Sequence, residues 1–264
     1  MQIGCEIMQI FKNLYNYREL LKSNVKKEIR GKYKGSFLGI LWSFLNPLLM
    51  VAVYAIVFPY IMRIKTDNYL IFLIIGVIPW NFFTTVMNQG MISIRMNAGI
   101  LKKVYFPREI LPISVAVSGL VNFLISCIII LVFCIFGGVG ISWHLIILPL
   151  VALMEFILVL GLIFAFSAIN IYIKDTEYIV QFIMNLLFYG TPILYTTELF
   201  PKSLRWVLYL NPMTHIIDFY RDIFMYHKLP GINSIMFILI VSILVLTIGL
   251  AIFRKLEKGF AEEL

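Results

Sequence analysis

Long uncharged stretches constrain this chain more than any other feature of its sequence. Residues 35–62, 68–94 and 229–253 contain no Asp, Glu, Lys or Arg, and residues 110–154 form a longer run of the same kind. A helix rises 1.5 Å per residue, so about 20 apolar residues cross the roughly 30 Å hydrocarbon layer of a bilayer. The runs are too long for barrel strands, and backbone groups in lipid must be hydrogen-bonded within the protein. The sequence therefore predicts an all-α, polytopic membrane protein.

Six transmembrane helices account for these stretches. The run from residue 110 to 154 is too long for one crossing, and Gly137-Gly138-Val139-Gly140 interrupts it, which predicts a tight turn between two spans. The predicted spans cover residues 37–61, 69–92, 112–136, 145–171, 177–195 and 233–253. Residues 1–36 then form an N-terminal segment, residues 37–253 the membrane domain, and residues 254–264 a tail.

Composition and charge support a membrane location and an orientation. Apolar residues make up 61% of the chain and charged residues 14%, and the mean hydropathy is +0.93, which excludes a soluble domain. The net charge of +8 is concentrated in residues 12–34, 95–108 and 254–258, beside alternate span ends. The positive-inside rule then places both termini in the cytoplasm. Cys127 and Cys134 lie inside a predicted span without further ligands, so we expect no metal site.

The segment before the first span is predicted to be an amphipathic helix at the membrane interface. Apolar residues recur at helical spacing along one face, at Ile10, Leu14, Tyr17, Leu21 and Val25. The residues assigned to the interfacial helix are Lys22, Lys26, Lys27, Arg30, Lys32 and Tyr33. The basic side would contact anionic lipid, a cytoplasmic protein, or both.

The loop between the second and third spans, residues 95–111, is longer than a connection requires. Apolar residues stand among its cations, at Ile100, Leu101, Val104 and Phe106, and we expect a short helix ended by Pro107. The loop either does no more than satisfy the positive-inside rule or forms a surface that another chain buries.

Several motifs in order along the chain resemble those of type-2 ABC permeases, in the branch that exports polysaccharides and teichoic acids. The first is Arg30 to Trp42 (RGKYKGSFLGILW), followed by Asn46-Pro47-Leu48-Leu49. The later ones are Gly76 to Phe83 (GVIPWNFF), Phe106 to Pro112 (FPREILP), Lys174-Asp175, Pro192 to Tyr195 (PILY) and Asn211-Pro212.

The resemblance implies a homodimeric permease that works with two copies of a separate ATP-binding subunit. The chain has no G-x-x-x-x-G-K-[ST] sequence, so ATP and Mg²⁺ are expected on that subunit and no cofactor on this chain. In such families the loop between spans two and three couples to the ATPase, and the N-terminal helix also touches it. The residues assigned to coupling are Asn97, Ile100, Leu101, Lys102, Lys103, Tyr105, Phe106, Pro107, Arg108 and Glu109.

Aromatic stripes are candidates for the lining of a substrate path. Aromatic faces stack on the C–H faces of sugars, although such stripes in membrane helices are also typical of packing and interfacial belts. The candidates are Trp42, Phe44, Tyr54 and Phe58 in span one, and Phe182, Tyr189 and Tyr195 in or beside span five. Glu155 lies deep in span four and is either a proton relay or a hydrogen-bonded structural residue near Asn170, Asn185 or another helix.

The segment 196–231 is interrupted by Pro201 and Pro212. Family members fold this region into short re-entrant helices, and a seventh crossing is the alternative. Taken together, the sequence predicts the non-enzymatic permease subunit of an ATP-driven exporter for a lipid-linked polysaccharide such as O-antigen, capsule or teichoic acid, in the cytoplasmic (inner) membrane. Two alternatives are a type-2 ABC permease for a drug or small lipid, and a membrane enzyme acting on polyprenyl phosphates. The enzyme would need carboxylates to hold Mg²⁺, for which Asp175 and Glu177 come nearest.

Overall fold

The structure is a computed structural model that describes residues 9–10, 12–31, 37, 39–62 and 68–263, and in this part of the chain every regular element is a helix. The longer helices are α1 (Arg18–Gly31), α2 (Trp42–Met62), α3 (Tyr69–Met96), α5 (Ile110–Phe136), α6 (Leu148–Tyr172), α7 (Thr176–Gly190), α9 (Pro212–Phe224) and α10 (Ile232–Leu256). The short ones are α4 (Ala98–Leu101), α8 (Arg205–Tyr209) and α11 (Phe260–Glu263). Single 3-10 turns precede α2, α6, α8 and α11.

Four helical stretches among the described residues are long and apolar enough to cross a membrane: Tyr69–Leu101, Ile110–Phe136, Trp143–Tyr172 and Ile232–Gly259. They coincide with four of the six predicted spans. Helix α2, with 21 residues, begins at Trp42 rather than at residue 37. Helix α7 has 15 residues and ends at Gly190, not at Tyr195 as predicted. At 1.5 Å per residue α7 is about 22 Å long, less than the hydrocarbon thickness.

Helix α3 occupies the centre of the molecule, where it packs against α2, α5, α6 and α9. The surrounding helices cover most of the side chains of α3, and every residue from Ile71 to Trp80 is buried. A helix that is apolar on all faces is expected to be enclosed by other helices rather than to present one face to a core. Pro79 lies inside α3 without ending it.

Helices α6 and α10 approach each other until their main chains touch. A Cβ atom on Gly249 would overlap the carbonyl oxygen of Gly161, and one on Gly161 would lie 2.5 Å from the backbone nitrogen of Leu246. Small residues allow this close packing of membrane helices, where backbone contact and van der Waals attraction replace a hydrophobic driving force. The contact depends on glycine at both positions.

The predicted turn between α5 and α6 is present. Gly138 and Gly140 both have φ near 79°, a left-handed conformation that side chains disfavour. The amides of Val139 and Gly140 donate to the carbonyl oxygen of Cys134, which closes the end of α5. A 3-10 turn, Trp143–Ile147, leads directly into α6, which begins at Leu148 and has Pro149 in its first turn.

The segment 196–231 forms two short helices, α8 and α9, separated at Leu210 and Asn211. Asn211 caps α9, because its side chain accepts a hydrogen bond from the Met213 amide at 3.0 Å. Neither helix has the length of a crossing, so among the described residues this segment provides no single helix for a seventh span. Most side chains of α9 are buried, and the helix packs against α3, α6 and α10.

Candidate functional site

The loop 95–111 presents an apolar surface and a buried anchor. Helix α4 ends at Leu101, not at Pro107 as predicted, and the amides of Lys103 and Val104 both turn back to the Ile100 carbonyl oxygen. After the helix the chain becomes irregular, and the ring of Phe106 is buried in the protein's own core. The residue before a proline also disfavours helical backbone.

The ten residues predicted for coupling divide by exposure. Ile100, Lys102, Lys103 and Tyr105 are exposed, and the ring of Tyr105 is 91% exposed. Asn97, Leu101, Pro107 and Arg108 are half-buried, and Phe106 and Glu109 are buried. With Met96 and Val104, which are also exposed, the outward residues make a continuous apolar and basic surface on this loop.

Glu109 is a buried carboxylate that connects three distant parts of the chain. It is 1% exposed, and its Oε1 accepts from Asn13 Nδ2 at 2.8 Å and from Arg254 at 3.3 Å. Arg254 also lies 3.5 Å from the Glu257 carboxylate, and Arg108 donates to the Glu257 carbonyl oxygen. We call Asn13, Arg108, Glu109, Arg254 and Glu257 the Glu109 cluster. It connects the N-terminal segment, the loop and the end of α10.

The basic residues predicted for the N-terminal helix face away from this cluster. Lys22, Lys26 and Arg30 are exposed on α1, and Lys27 donates to Asn97 Oδ1 at 3.1 Å. The hydrogen bond and charge of Lys22 lower the pKa of the nearby Glu19 carboxylate. Lys32 and Tyr33, also predicted for this helix, lie outside the described residues.

The apolar stripe of the N-terminal segment is covered by the protein itself. Ile10 is buried, and Leu14, Tyr17 and Leu21 pack against the core formed with Phe106. Helix α1 lies against α5. The predicted stripe is therefore present, but its partner in the structure is this chain.

Four of the predicted aromatic residues lie on α2 and α7, two packed together on α2 and two exposed on α7. Tyr54 and Phe58 pack edge to face at 5.7 Å, and Tyr54 also lies 6.0 Å from Phe188 of α7. Phe182 and Tyr189 are 67% and 68% exposed, on the open side of α7. We call the exposed rings Tyr178, Phe182 and Tyr189, with Tyr54 and Phe58 beside them, the aromatic face.

Two further candidates lie elsewhere, and one side chain is not described. Tyr195 is only 8% exposed and its hydroxyl donates to the Tyr189 carbonyl oxygen at 2.8 Å, so it is buried rather than part of the exposed aromatic face. The cause is that the chain turns inward after Gly190. Trp42 borders a different surface, a cleft between α2, α3 and α5. The side chain of Phe44 lies outside the described part of α2.

The cleft was not predicted. Its volume is about 600 Å³, and Asn46, Asn81, Thr85, Gln89, Asn122 and Ser126 are its polar lining residues. Asn81, Thr85 and Gln89 recur every four residues along α3, and Asn122 and Ser126 do the same along α5. Polar residues at helical spacing inside an apolar span predict a polar surface on that helix, so the lining of the cleft could have been found from the sequence.

Arg221 is a second buried charge, after Glu109. It lies near the start of α3, whereas Glu109 lies in the loop that follows the end of α3. Its side chain is 3% exposed, stacks on the Phe72 ring at 3.5 Å, and donates to the Ile193 carbonyl oxygen at 3.0 Å. Asp218 lies 3.7 Å away, and Tyr69 donates to the Leu194 carbonyl oxygen at 2.7 Å. We call Tyr69, Phe72, Ile193, Asp218 and Arg221 the Arg221 cluster.

Burial lowers the pKa of Arg221 to about 10, which leaves it protonated at neutral pH. From the sequence alone, Arg221 could be recognised only as one of the charged residues between two predicted spans. Its position on the buried face of α9 depends on tertiary packing.

Glu155 is fully buried and accepts a hydrogen bond from the Tyr220 hydroxyl at 2.8 Å. Its partner is therefore on α9, and neither Asn170 nor Asn185 bonds it among the described residues. Asn170 donates instead to the Met91 carbonyl oxygen at 3.4 Å, and Asn185 is exposed. The contact joins α6 to α9 in the protein interior.

Among the described residues, the carboxylates that an Mg²⁺-dependent enzyme would need do not lie together. Within the described ranges no group of three His, Cys, Asp or Glu side chains could hold a metal ion. Glu177 pairs with Arg95 at 2.5 Å, and Asp175 is exposed at the start of α7. Arg95 and Glu177 join the adjacent ends of α3 and α7.

Comparisons with known proteins agree with one another. A family model described as ABC-2 type transporter matches residues 19–225. An O-antigen export system permease protein RfbA from Myxococcus xanthus is 36% identical over 260 residues, which cover 98% of this chain and 100% of the relative. An RfbA protein from Klebsiella pneumoniae is 36% identical over 252 residues, 95% of this chain and 96% of the relative. The polysialic acid transport protein KpsM from Escherichia coli is 24% identical over 238 residues, 88% of this chain and 92% of the relative.

Proposed function

Because the chain belongs to the ABC-2 type transporter family, we propose that it is the permease subunit of an ATP-driven exporter that moves a lipid-linked polysaccharide across the cytoplasmic membrane. The observation that carries this function is the 36% identity, over nearly the whole of both chains, to O-antigen export permeases. O-antigen, capsular polysaccharide and teichoic acid are the substrate types considered. The chain is a multi-pass membrane protein and a transporter subunit rather than an enzyme.

The proposed topology has six crossings, with α2 as the first and α7, continued by the buried residues 191–195, as the fifth. Both termini lie in the cytoplasm, since the basic residues of the N-terminal segment, the loop 95–111 and the tail then share one side. The N-terminal helix lies at the membrane interface. Helices α8 and α9 enter the outer leaflet without crossing it, which is compatible with the burial of α9 and with the shortness of both helices.

The loop 95–111 is the proposed docking surface for a separate ATPase, which binds ATP and Mg²⁺. Its exposed residues Ile100, Val104 and Tyr105 are apolar or aromatic and lie beside Lys102 and Lys103. Exposed aromatic residues with a charged rim are typical of the anchors of protein interfaces. Movement of this loop would reach α10 through Glu109 and Arg254, because these side chains are in contact.

The permease acts as a homodimer, and the aromatic face lines the substrate path between two copies. The exposed faces of Phe182 and Tyr189 are not covered by any of the described residues. A path along such rings would let sugar faces stack while their hydroxyls remain bonded to water. The two nucleotide states of the ATPase must favour different arrangements of the two copies, since only differential binding shifts a conformational equilibrium.

The test is copurification and transport. The permease is expressed with a candidate ATPase, purified as a complex, and reconstituted in vesicles that contain a lipid-linked glycan. We expect ATP-dependent movement of the glycan. The variant Tyr105→Glu, which places a charge on the docking surface, should lose most of the bound ATPase.

The matched control is Tyr226→Glu, an exposed tyrosine in the segment after α9. It should retain the ATPase. The proposal is contradicted if the purified chain binds no ATPase, or if the complex moves a drug or phospholipid with ATP but not the glycan.

A further inference from the structure

The cleft between α2, α3 and α5 has a composition that membrane packing does not require. Its volume of about 600 Å³ lies within the range of small-molecule sites. Its polar lining alternates along two helices, with Asn81, Thr85 and Gln89 on α3 and Asn122 with Ser126 on α5. Along α3 the cleft extends from Ile78 to Gln89, across the middle of the helix, and Gln89 lies about two turns before the helix ends.

Two of its polar atoms are buried without a hydrogen-bond partner among the described residues. They are the Oε1 acceptor of Gln89 and the Nδ2 donor of Asn122. An unpaired amide in apolar surroundings is costly, and most such groups in proteins find a protein partner or a water. Two facing helices therefore offer one acceptor and one donor that the fold itself leaves unused.

Aromatic rings complete the lining. Phe82 and Phe123 stack at 5.1 Å on the floor of the cleft and are buried, whereas Trp42 is 38% exposed at its edge. A sugar ring has apolar C–H faces and a rim of hydroxyls that both donate and accept hydrogen bonds. Amides also donate and accept, so rings together with amides match both parts of a saccharide.

The cleft is uncharged as far as its described lining extends. No Asp, Glu, Lys, Arg or His is among the described residues that line the cleft. Phosphate and diphosphate groups are bound by cations or by several aligned backbone amides, and the lining side chains that the structure describes are neutral. Charged headgroups are therefore poor occupants.

The geometry points to a binding site in this cleft for uncharged sugar units of the transported glycan, before they reach the path between the two copies. The site rests on the proposed function, and it specifies the part of the substrate that is recognised. The cleft selects by the neutral hydroxyls of the sugar, while the lipid and diphosphate of the carrier bind elsewhere.

The experiment measures equilibrium binding to the permease–ATPase complex in lipid nanodiscs. One probe is a ten-carbon prenyl diphosphate that carries a neutral disaccharide, and the other is the same prenyl diphosphate without sugar. The double variant Gln89→Met with Asn122→Leu keeps side-chain volume and removes both amides. We expect it to bind the glycosylated probe about tenfold more weakly, as the loss of two hydrogen bonds implies, and the bare probe unchanged.

A second variant keeps the proposal testable if the double variant does not fold. Asn46→Leu changes an exposed residue at the edge of the cleft, and we expect a loss of about threefold for the glycosylated probe. The control Thr247→Val changes a hydroxyl on α10 that bonds its own helix, and it should alter neither affinity. Thermal unfolding of each complex verifies its integrity.

The outcomes separate this inference from the function. An unchanged affinity of both cleft variants for the glycosylated probe, or an equal loss for both probes, overturns the sugar site even if the wild-type complex exports glycan. Absence of any ATP-driven glycan movement by the wild-type complex overturns the proposed function instead. A phospholipid that displaces the glycosylated probe from the wild type but not from the double variant would show a lipid site, and the sugar assignment would be wrong.

Discussion

The Glu109 and Arg221 clusters both hold a buried charge where several helices meet, but they hold it in different ways. Glu109 is bonded by side chains from the N-terminal segment and from α10, so its partners come from distant parts of the sequence. Arg221 is bonded mainly by a backbone carbonyl oxygen and an aromatic ring. The first arrangement depends on other charged and polar side chains, whereas the second depends on the local path of the chain after α7.

From this difference we expect two separate tasks. A carboxylate shared between side chains of the loop, the N-terminal segment and α10 can pass movement between these elements. A guanidinium fixed to main-chain carbonyl oxygen holds a turn and the helix α9 in place. Substitutions at the two clusters should therefore differ in size and in what they disturb.

The largest effect is expected from Arg221→Leu. The substitution leaves the Ile193 carbonyl oxygen without its donor, removes the contact with Phe72, and leaves Asp218 without its neighbouring cation. We expect a loss of about 4 kcal/mol in the free energy of unfolding, measured by denaturant titration in detergent micelles. The control Lys228→Leu removes the exposed partner of the half-buried Asp222 and should cost less than about 1 kcal/mol. Equal losses in the two variants would contradict the role of burial.

The next effect is expected from Glu109→Ala. Asn13 and Arg254 lose their shared acceptor, and we expect a loss of about 3 kcal/mol in the same titration, smaller than at Arg221 because Arg254 keeps Glu257 and some contact with water. Coupling should fail in addition: the complex should still hydrolyse ATP but move little glycan. The control is Glu19→Ala, which removes an exposed carboxylate paired with Lys22 at 2.9 Å. A variant that transports normally would show that this cluster is structural only.

A smaller effect is expected from Arg95→Ala. This variant tests whether the large losses of stability at the two clusters come from the burial of the charge or from the charge alone. Arg95 and Glu177 are both about one-third exposed, and they join the ends of α3 and α7. Solvent screens such a pair, so we expect a loss of about 1 kcal/mol in the free energy of unfolding. The double variant Arg95→Ala with Glu177→Ala should cost no more than the single one. A loss as large as that of Glu109→Ala would break the comparison.

The smallest effect on stability is expected from Phe182→Ala, on the aromatic face. The ring is exposed, so the free energy of unfolding should change by no more than about 0.5 kcal/mol. Glycan export should nevertheless fall several-fold, because the proposed path loses a stacking surface. The control Phe136→Ala removes an exposed ring at the end of α5 and should leave export unchanged. Equal export by both variants would exclude Phe182 from the path.

The long helices could be predicted from the sequence because their signal is local. Runs without charged residues fixed α3, α5, α6 and α10 to within a few residues, and Gly138 and Gly140 identified the turn between two of them. The end of α7 could not be predicted from the run alone. It depends on the carbonyl oxygens of Ile193 and Leu194, which bind Arg221 and Tyr69 from other helices.

The charged clusters were not predictable for the same reason. Glu109 lies 96 residues from Asn13 and 145 residues from Arg254 along the chain, and no local pattern relates such positions. The apolar stripe of the N-terminal segment was predictable, but its contact with the protein core rather than with lipid was not. The cleft is an intermediate case, because the spacing of Asn81, Thr85 and Gln89 was present in the sequence although the facing helix was unknown.

Because the main chains of α6 and α10 touch at Gly161 and Gly249, neither helix can slide along the other without a steric clash. The two helices must then translate as one rigid body. Helix α10 has 25 residues and so extends about 37 Å, from Ile232 to the neighbourhood of Arg254. In the proposed topology, a push received at Arg254 would be carried by this pair toward the far side of the bilayer, and we expect the hinges of the transport cycle in other helices.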